Sequence, residues 1–349
     1  MLHRYPVSFT EALLATLILF CTTQGSMASG GSGGTGISSG TINGFGSIFV
    51  NGIEYDISKA KLTRNGQKSE ESDFRLGEIV TIKGTVDHKK RTGVAASVIY
   101  ENMLSGPVTA LSDSNHVEVL GQTVVTNHST ILDQFSALND LQVGQFVEVS
   151  GFHDANNNLV ATRIMLLPGS SRSNNSNIEA RLIVGNVNTE SEPASLRAGK
   201  LTVVFRKSGH PPVAGDLIHV RASADPVNMQ LHADELIIID KPRFEKGTRL
   251  NIEGIITRFN SNRSFTVNGI EILIHDKTHV ENLMGAILAL NSQIEVEGVI
   301  DDKGVLIASK LEIEDDRTSS EFNGNIQKID LKNKRIWIFD VKRVFDLVM

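Results

Sequence analysis

The chain has 349 residues, 40% hydrophobic and 21% charged, which is apolar material enough for several small cores and too much for a chain disordered throughout. A formal charge of −6 and an aromatic content of 5% argue against a surface built to neutralise phosphates or to stack bases, so no nucleic-acid partner is expected. The single cysteine, Cys21, lies near the N-terminus, which leaves the rest of the chain without a thiol for disulfides, nucleophilic catalysis or metal binding.

Residues 1–28 read as a secretory signal. His3 and Arg4 precede the apolar run Ala12 to Cys21, too short to span a bilayer, and Ser26-Met27-Ala28 has the small-x-small form of a cleavage site. Cys21 stands where an exported lipoprotein carries its lipid, although Phe20 replaces the small residue such a site has before it. A lipid on Cys21 is therefore the one membrane attachment the sequence offers. Residues 29–39, within "SGGSGGTGISSG", read as a Gly/Ser tether that orders poorly. Gly31, Gly33 and Gly36 match a dinucleotide fingerprint, and Gly36 to Gly40 a hydrolase elbow. Both motifs need a buried strand and a helix as flanks, so both are rejected.

The chain then repeats itself. "LGEIVTIKG", "VGQFVEVSG", "AGDLIHVRA" and "LNSQIEVEG" end at Gly84, Gly151, Ala222 and Gly298, a period of about 70 residues. An Ala-x-x-aliphatic strand follows each, from Ala96, Ala161, Ala233 and Ala308, and a Gly-x-Val/Ile signature opens units at Gly40, Gly106, Gly185, Gly254 and Gly324. The repeats fall at 40–103, 104–168, 178–241 and 246–315, with a linker at 169–177 and an incomplete fifth repeat at 319–349. The third is degenerate, with Pro211-Pro212 where the others suggest a helix.

Within each unit the pattern is β. In the fourth, "RLNIEGIITRF" (Arg249 to Phe259) and "SFTVNGIEILI" (Ser264 to Ile274) are β-branched runs, and Asn268-Gly269 breaks the second as a hairpin turn would; Asn51-Gly52 does so in the first unit. "ENLMGAILAL", Glu281 to Leu290, predicts two or three helical turns, and "QIEVEGVI" and "VLIASKLEIE" are alternating strands. Strand, strand, strand, short helix, strand, strand predicts tandem OB-like barrels in an all-β protein, with SH3-like barrels or sandwich layers as the alternative. In "GQFVEVSGFHDANNNLVATRI", Val147, Val149 and Ile164 are expected to face the core. In the last segment an open edge is expected at Ile336, Trp337, Ile338 and Phe339.

"GFGSIFVNGIEYD", "SGPVTAL", "VLGQTVV" and "VGQFVEVSGFHDANNNLVATRI" resemble the bacterial domain-of-unknown-function family 5666, over roughly Gly40 to Glu314. The resemblance implies exported tandem OB-like domains with no assigned activity.

Candidate chemistry is sparse. Asp154, Asn156 and Asn158 hold positions one, three and five of a calcium loop, but Leu159 replaces its glycine and Met165 its final glutamate. The equivalent turn, Asp301 to Gly304, is read as shorter and without the pattern. His275 and His279 are four apart without a completing motif. His116, His128 and His153 in the second repeat fit a polar surface, and His88 to Arg91 a solvated basic turn. No catalytic residue, metal site or cofactor is assigned. The expectation is an exported, non-enzymatic binding or scaffold protein of the periplasm or cell envelope, its partner an envelope protein or a glycan, with an envelope hydrolase as the alternative. Asn260 to Ser264 and Asp301 to Gly304 are the expected binding loops.

Overall fold

Alternating β-branched and polar residues become short strands throughout the computed structural model, which describes residues 34–44, 47–167, 178–207, 209–282, 287–314, 326–330, 335–338 and 341–344. The signal, Cys21 and Gly324 lie outside these residues.

The first repeat contains β1 (Gly34–Gly44), β2 (Ile48–Val50), β3 (Ile53–Asp56), β4 (Lys61–Arg64), β5 (Gln67–Lys68), β6 (Ile79–Asp87) and β7 (Thr92–Tyr100). β1 pairs antiparallel with β2 and β6, β2 with β3 and β6 with β7, while β3 and then β4 run parallel to β7. This closes an OB-like ring and removes its edges. The second repeat copies it with β8 (Leu104–Leu111), β9 (His116–Val119), β10 (Gln122–Val125), β11 (Ile131–Asp133), β12 (Phe146–His153) and β13 (Leu159–Leu166), with β10 and β11 parallel to β13. Val147, Val149 and Ile164 are fully buried in its core.

The third repeat has β14 (Ile178–Ile183), β15 (Asn186–Asn188), β16 (Ala194–Ala198), β17 (Leu201–Phe205), β18 (Leu217–Ala222), β19 (Gln230–His232) and β20 (Glu235–Ile239). Here the ring is split: β15, β16, β17 and β19 form one sheet, while β14, β18 and β20 continue that of the second repeat. The fourth repeat closes again, with β21 (Arg249–Ser261), β22 (Ser264–Val267), β23 (Ile270–Asn282), β24 (Gln293–Ile300) and β25 (Leu306–Ile313). β26 (Ile326–Asp330), β27 (Arg335–Ile338) and β28 (Val341–Val344) pair among themselves.

A glycine bulge organises the closed barrels. Gly84, Gly151 and Gly298 each follow a register shift in the last hairpin and lie opposite Ala95, Ala161 and Ala308. A Cβ on any of the three would overlap the partner strand's carbonyl oxygen, of Val94, Val160 or Ile307. The requirement is thus close approach, not positive φ. The third repeat has Ala222 in this place, β18 pairs β20 without a shift, and the strand stops. The loss of the bulge accompanies the splitting of the ring. The bulge also corrects the first repeat's alignment from Ala96 to Ala95.

Three expectations are overturned. Residues 34–39 are not a loose tether: β1 pairs with β6 on one side and parallel with β21 on the other, Gly36 opposite Arg249 and Ser39 opposite Ile252, and Ile37 packs on the fourth core. Small residues let β1 lie between two strands, and these pairings join the first and fourth repeats. The helix expected over Glu281 to Leu290 is absent from the residues described there. Glu281 and Asn282 end β23, held by pairing with β25, residues 287–289 are irregular, and 283–286 lie outside the described residues. In the first and second repeats the linker carries only short 3-10 turns, Glu71–Asp73 and Leu138–Asp140. Finally, Ile336, Trp337 and Ile338 form no open edge, because β27 is the middle strand of its sheet; Phe339 lies outside the described residues.

Candidate functional site

The buried polar residues gather at junctions between repeats. Between first and second, Arg64 lies 4.0 Å over the Tyr100 ring, pairs with Glu78 at 2.8 Å and also with Glu148. Tyr100 donates to Glu148 at 3.0 Å and accepts from Ser150 at 3.1 Å. Burial raises the pKa of Glu78, opposed by Arg64, and burial raises that of Tyr100 well above its ordinary value.

Between first and fourth, Glu253 of β21 accepts from the Thr41 backbone at 2.6 Å, the Thr41 hydroxyl at 3.0 Å and Gln293 at 3.0 Å. Its neighbour Glu295 is pushed up to about 7 by burial and by the Glu312 charge. Asn51, in the β2–β3 turn, donates to the Asn251 carbonyl at 3.0 Å, and Ser38 bonds to the Tyr55 hydroxyl. Between second and third, β8 pairs with β14 and Gln122 donates to Ala198 at 2.8 Å, while Arg181 reaches back to the Asn102 carbonyl and Glu101 at the end of the first repeat. These groups satisfy one another, so their chemistry is structural.

The residues singled out from sequence do not converge. The Asp154 carboxylate accepts the amides of Asn156 and Asn158, both at 2.8 Å, which closes a turn. Asp301 accepts those of Lys303 and Val305 in the same way, at 2.8 and 2.9 Å. The two turns have the same length, with Asn157 and Gly304 as their positive-φ residues, so Asp301 to Gly304 is not the shorter one. His275 and His279 both lie in β23, and His279 pairs with Glu281 at 3.2 Å. His116 pairs with Asp113 at 2.8 Å on the surface and His128 lies 3.2 Å from the Ser129 hydroxyl. His153 is half-buried: its ring nitrogens are sealed from solvent, and burial lowers its pKa. In the basic turn His88 bridges to Glu297 of the fourth repeat at 3.0 Å and Arg91 donates to the Gly52 carbonyl at 2.9 Å, so only part of it is solvated. Among the described residues no three His, Cys, Asp or Glu gather as a metal site. The loops 260–264 and 301–304, the latter between β24 and β25, lie toward opposite ends of β21, since Arg249 pairs with Val299 and Ser261 with Ser264.

A cleft does open where the third repeat is split. Val204, Phe205, Pro211, Pro212, Leu236 and Ile238 form its walls, and Lys207, His210, Asp234 and Glu235 stand at its rim. It lies between the chain leaving β17 and the outer side of β20, the last strand of its sheet. Sequence reading missed it, although Ala222 for glycine and Pro211-Pro212 both mark the place.

The match to a family model, though not the weak structural likenesses, follows the repeat structure. No curated protein matches the chain. Among solved structures, Drosophila Unr CSD456 is similar at 11% identity over 60% of this chain and 99% of that one, with a TM-score of 0.19. A multidomain protein with nucleic acid binding domains from Streptococcus pneumoniae TIGR4 is similar at 14% identity over 66% and 76%, with a TM-score of 0.16. The family model described as a domain of unknown function (DUF5666) matches twice, at residues 105–165 and 253–312, which are the two repeats that run from Gly106 and Gly254 through a closed barrel. Two repeats of the chain thus match the DUF5666 model, which is consistent with a tandem arrangement of that domain.

Proposed function

We propose that the protein is an exported, non-enzymatic binding or scaffold module of the bacterial cell envelope, its repeats joined into one support by shared sheets and buried polar junctions. One observation carries the binding half of this reading. Three repeats close their barrels, whereas the third leaves a cleft beside an unpaired strand edge among the described residues. The charged and hydroxyl side chains that an enzyme would direct at a substrate are instead engaged with one another at the junctions. Export is supported by the sequence of residues 1–28.

The test has two parts. Cell fractionation with mass spectrometry of the N-terminus should find the protein outside the cytosol, starting near Ser29 or carrying lipid on Cys21. The mature chain immobilised against envelope extract should then retain a defined protein or glycan. A cytosolic protein with Met1 intact, or turnover of an envelope substrate abolished by a single substitution, overturns the reading.

A further inference from the structure

The strand pairings of the four repeats, matched by their last hairpins, show what the cleft lacks. In the first repeat the final strand β7 is flanked by two parallel segments, β3 beside Thr92 to Val94 and β4 beside Ser97 to Tyr100. In the second, β10 and β11 occupy those places along β13, and in the fourth the two halves of β23 do so along β25. In the third, β17 fills the first place beside β19, and no described residue fills the second, beside β20. The chain that could fill it carries Pro211-Pro212, and proline has no amide hydrogen to give a ladder. Leu236 and Ile238 are already packed from below against the shared core.

Two of the three filled places, in the second and fourth repeats, share a pattern that states the chemistry of an occupant; in the first, Ala60 stands at the hydroxyl's place and Ser97 at the cation's. Thr130 and Thr278 stand just before the added segment and donate to the Ala161 and Ala308 carbonyls, each at 2.7 Å. Two strand positions follow, Ile131 and Leu132 in the second repeat and His279 and Val280 in the fourth, and then an acid pairs with a cation on the final strand. Asp133 pairs with Arg163, and Glu281 with Lys310 at 3.0 Å. In the third repeat Ala233 is the equivalent carbonyl and Glu235 replaces the cation. The sign of the charge is reversed.

We propose that the outer edge of β20 receives an extended segment of a partner protein as a parallel strand. Its residues are, in order, a hydroxyl, two apolar side chains and a Lys or Arg facing Glu235. This is strand addition to a sheet edge, with backbone hydrogen bonds for affinity and alternate side chains for selectivity. It rests on the reading of the chain as a binding module and names the partner's chemistry. Arg221 holds Glu235 at 3.2 Å in the free protein, and the incoming cation shares that carboxylate.

The probe is taken from the protein's own filled place. Two capped peptides, residues 129–136 as they stand (STILDQFS) and with Asp133→Lys (STILKQFS), are titrated into isotopically labelled mature chain and followed by amide shifts and amide exchange. STILKQFS should protect Glu235 to Ile239 and bind at least ten-fold more tightly than STILDQFS, and Glu235→Lys in the protein should invert that preference. Ile237→Pro, if folded, gives a second check by loss of binding. Absence of binding by both peptides at millimolar concentration, perturbation elsewhere, or a preference untouched by Glu235→Lys overturns the assignment. If neither peptide binds while envelope capture retains a partner equally on the Glu235→Lys protein, the edge assignment falls and the binding reading stands. If STILKQFS binds as expected while nothing is captured from the envelope, the edge stands and the envelope reading falls.

Discussion

A single hydrogen-for-methyl difference sets the shape of each last hairpin. At Gly298 any side chain would meet the Ile307 carbonyl and the Leu306 side chain, so Gly298→Val should destabilise the fourth repeat by about 1–3 kcal/mol, read from urea unfolding. Ala222→Gly in the unbulged third repeat should cost only backbone entropy, about 0.5–1 kcal/mol. Equal losses at the two sites would show that the bulge imposes no steric demand. A different residue-scale dependence holds at Arg64. Its removal strands Glu78, whose side chain is fully buried, so Arg64→Ala should cost about 3–5 kcal/mol and Arg64→Ala with Glu78→Gln markedly less. If the double variant is no more stable than the single one, the cost comes from lost packing on Tyr100 instead. Such single positions are also what the sequence shows best. The Asn51-Gly52 and Asn268-Gly269 turns, with φ of 50° and 63° and of 50° and 77°, follow from local chemistry alone, as do the recurring glycines.

Two strands in different repeats respond to pH in opposite directions. Glu295 on β24 has its folded pKa raised to about 7 by burial, Glu312 and Glu253, offset by Asn251 and Lys310. A raised carboxyl contributes stability that is full below its ordinary 4.5 and lost as pH rises through 7. His219 on β18 is lowered to about 4 by burial and by Arg181 and Arg221. Its contribution is full above the ordinary 6.5 and lost as pH falls through 4. Between pH 4.5 and 6.5 the fourth repeat should therefore loosen as the third firms. Amide exchange at pH 5 and 7, corrected for intrinsic rates, should show β24 better protected at pH 5 and β18 at pH 7, with Glu295→Gln and His219→Phe each flattening its own trend. Parallel trends in both strands would contradict this. Neither environment is written in the local sequence. Glu295 alternates with Ile294 and Val296 as an outward-facing strand residue does, and the groups that set its charge, Asn251 and Glu253 of β21 and Lys310 and Glu312 of β25, come from other strands. β1 itself was hidden for the same reason: Gly and Ser suit a linker by composition, and two distant strands make this one a strand.

In the molecule as a whole, neighbours in space are not always neighbours in sequence. The second repeat leads into the third through β8 and β14, but the first is joined to the fourth through β1 and β21. Period and barrel order were readable because each repeat folds on local patterns; the order in which repeats adjoin depends on pairings between distant segments, which no period encodes. A chain begun at Ile48 should lose both barrel closure in the first repeat and its coupling to the fourth. Calorimetry should then resolve the fourth repeat's transition from the rest, whereas removal of Asp316 to Met349 should leave it in place, since β26, β27 and β28 pair only with one another among the described residues. Loss of the fourth repeat's transition on that second deletion would mean that the last segment belongs to its fold. The β1–β21 pairing also has a consequence in time. On the ribosome, the side of β1 that later meets β21 waits while about 210 further residues are made, roughly 10–40 s at about 5–20 residues per second. During that interval a nascent chain is crowded by copies of itself on neighbouring ribosomes, and an apolar β-branched edge would invite them to pair. Gly36, Ser38 and Ser39 give that waiting edge little for a stranger to hold. The low β-propensity of these residues lowers the gain from such mispairing until the strand's own partner has been translated.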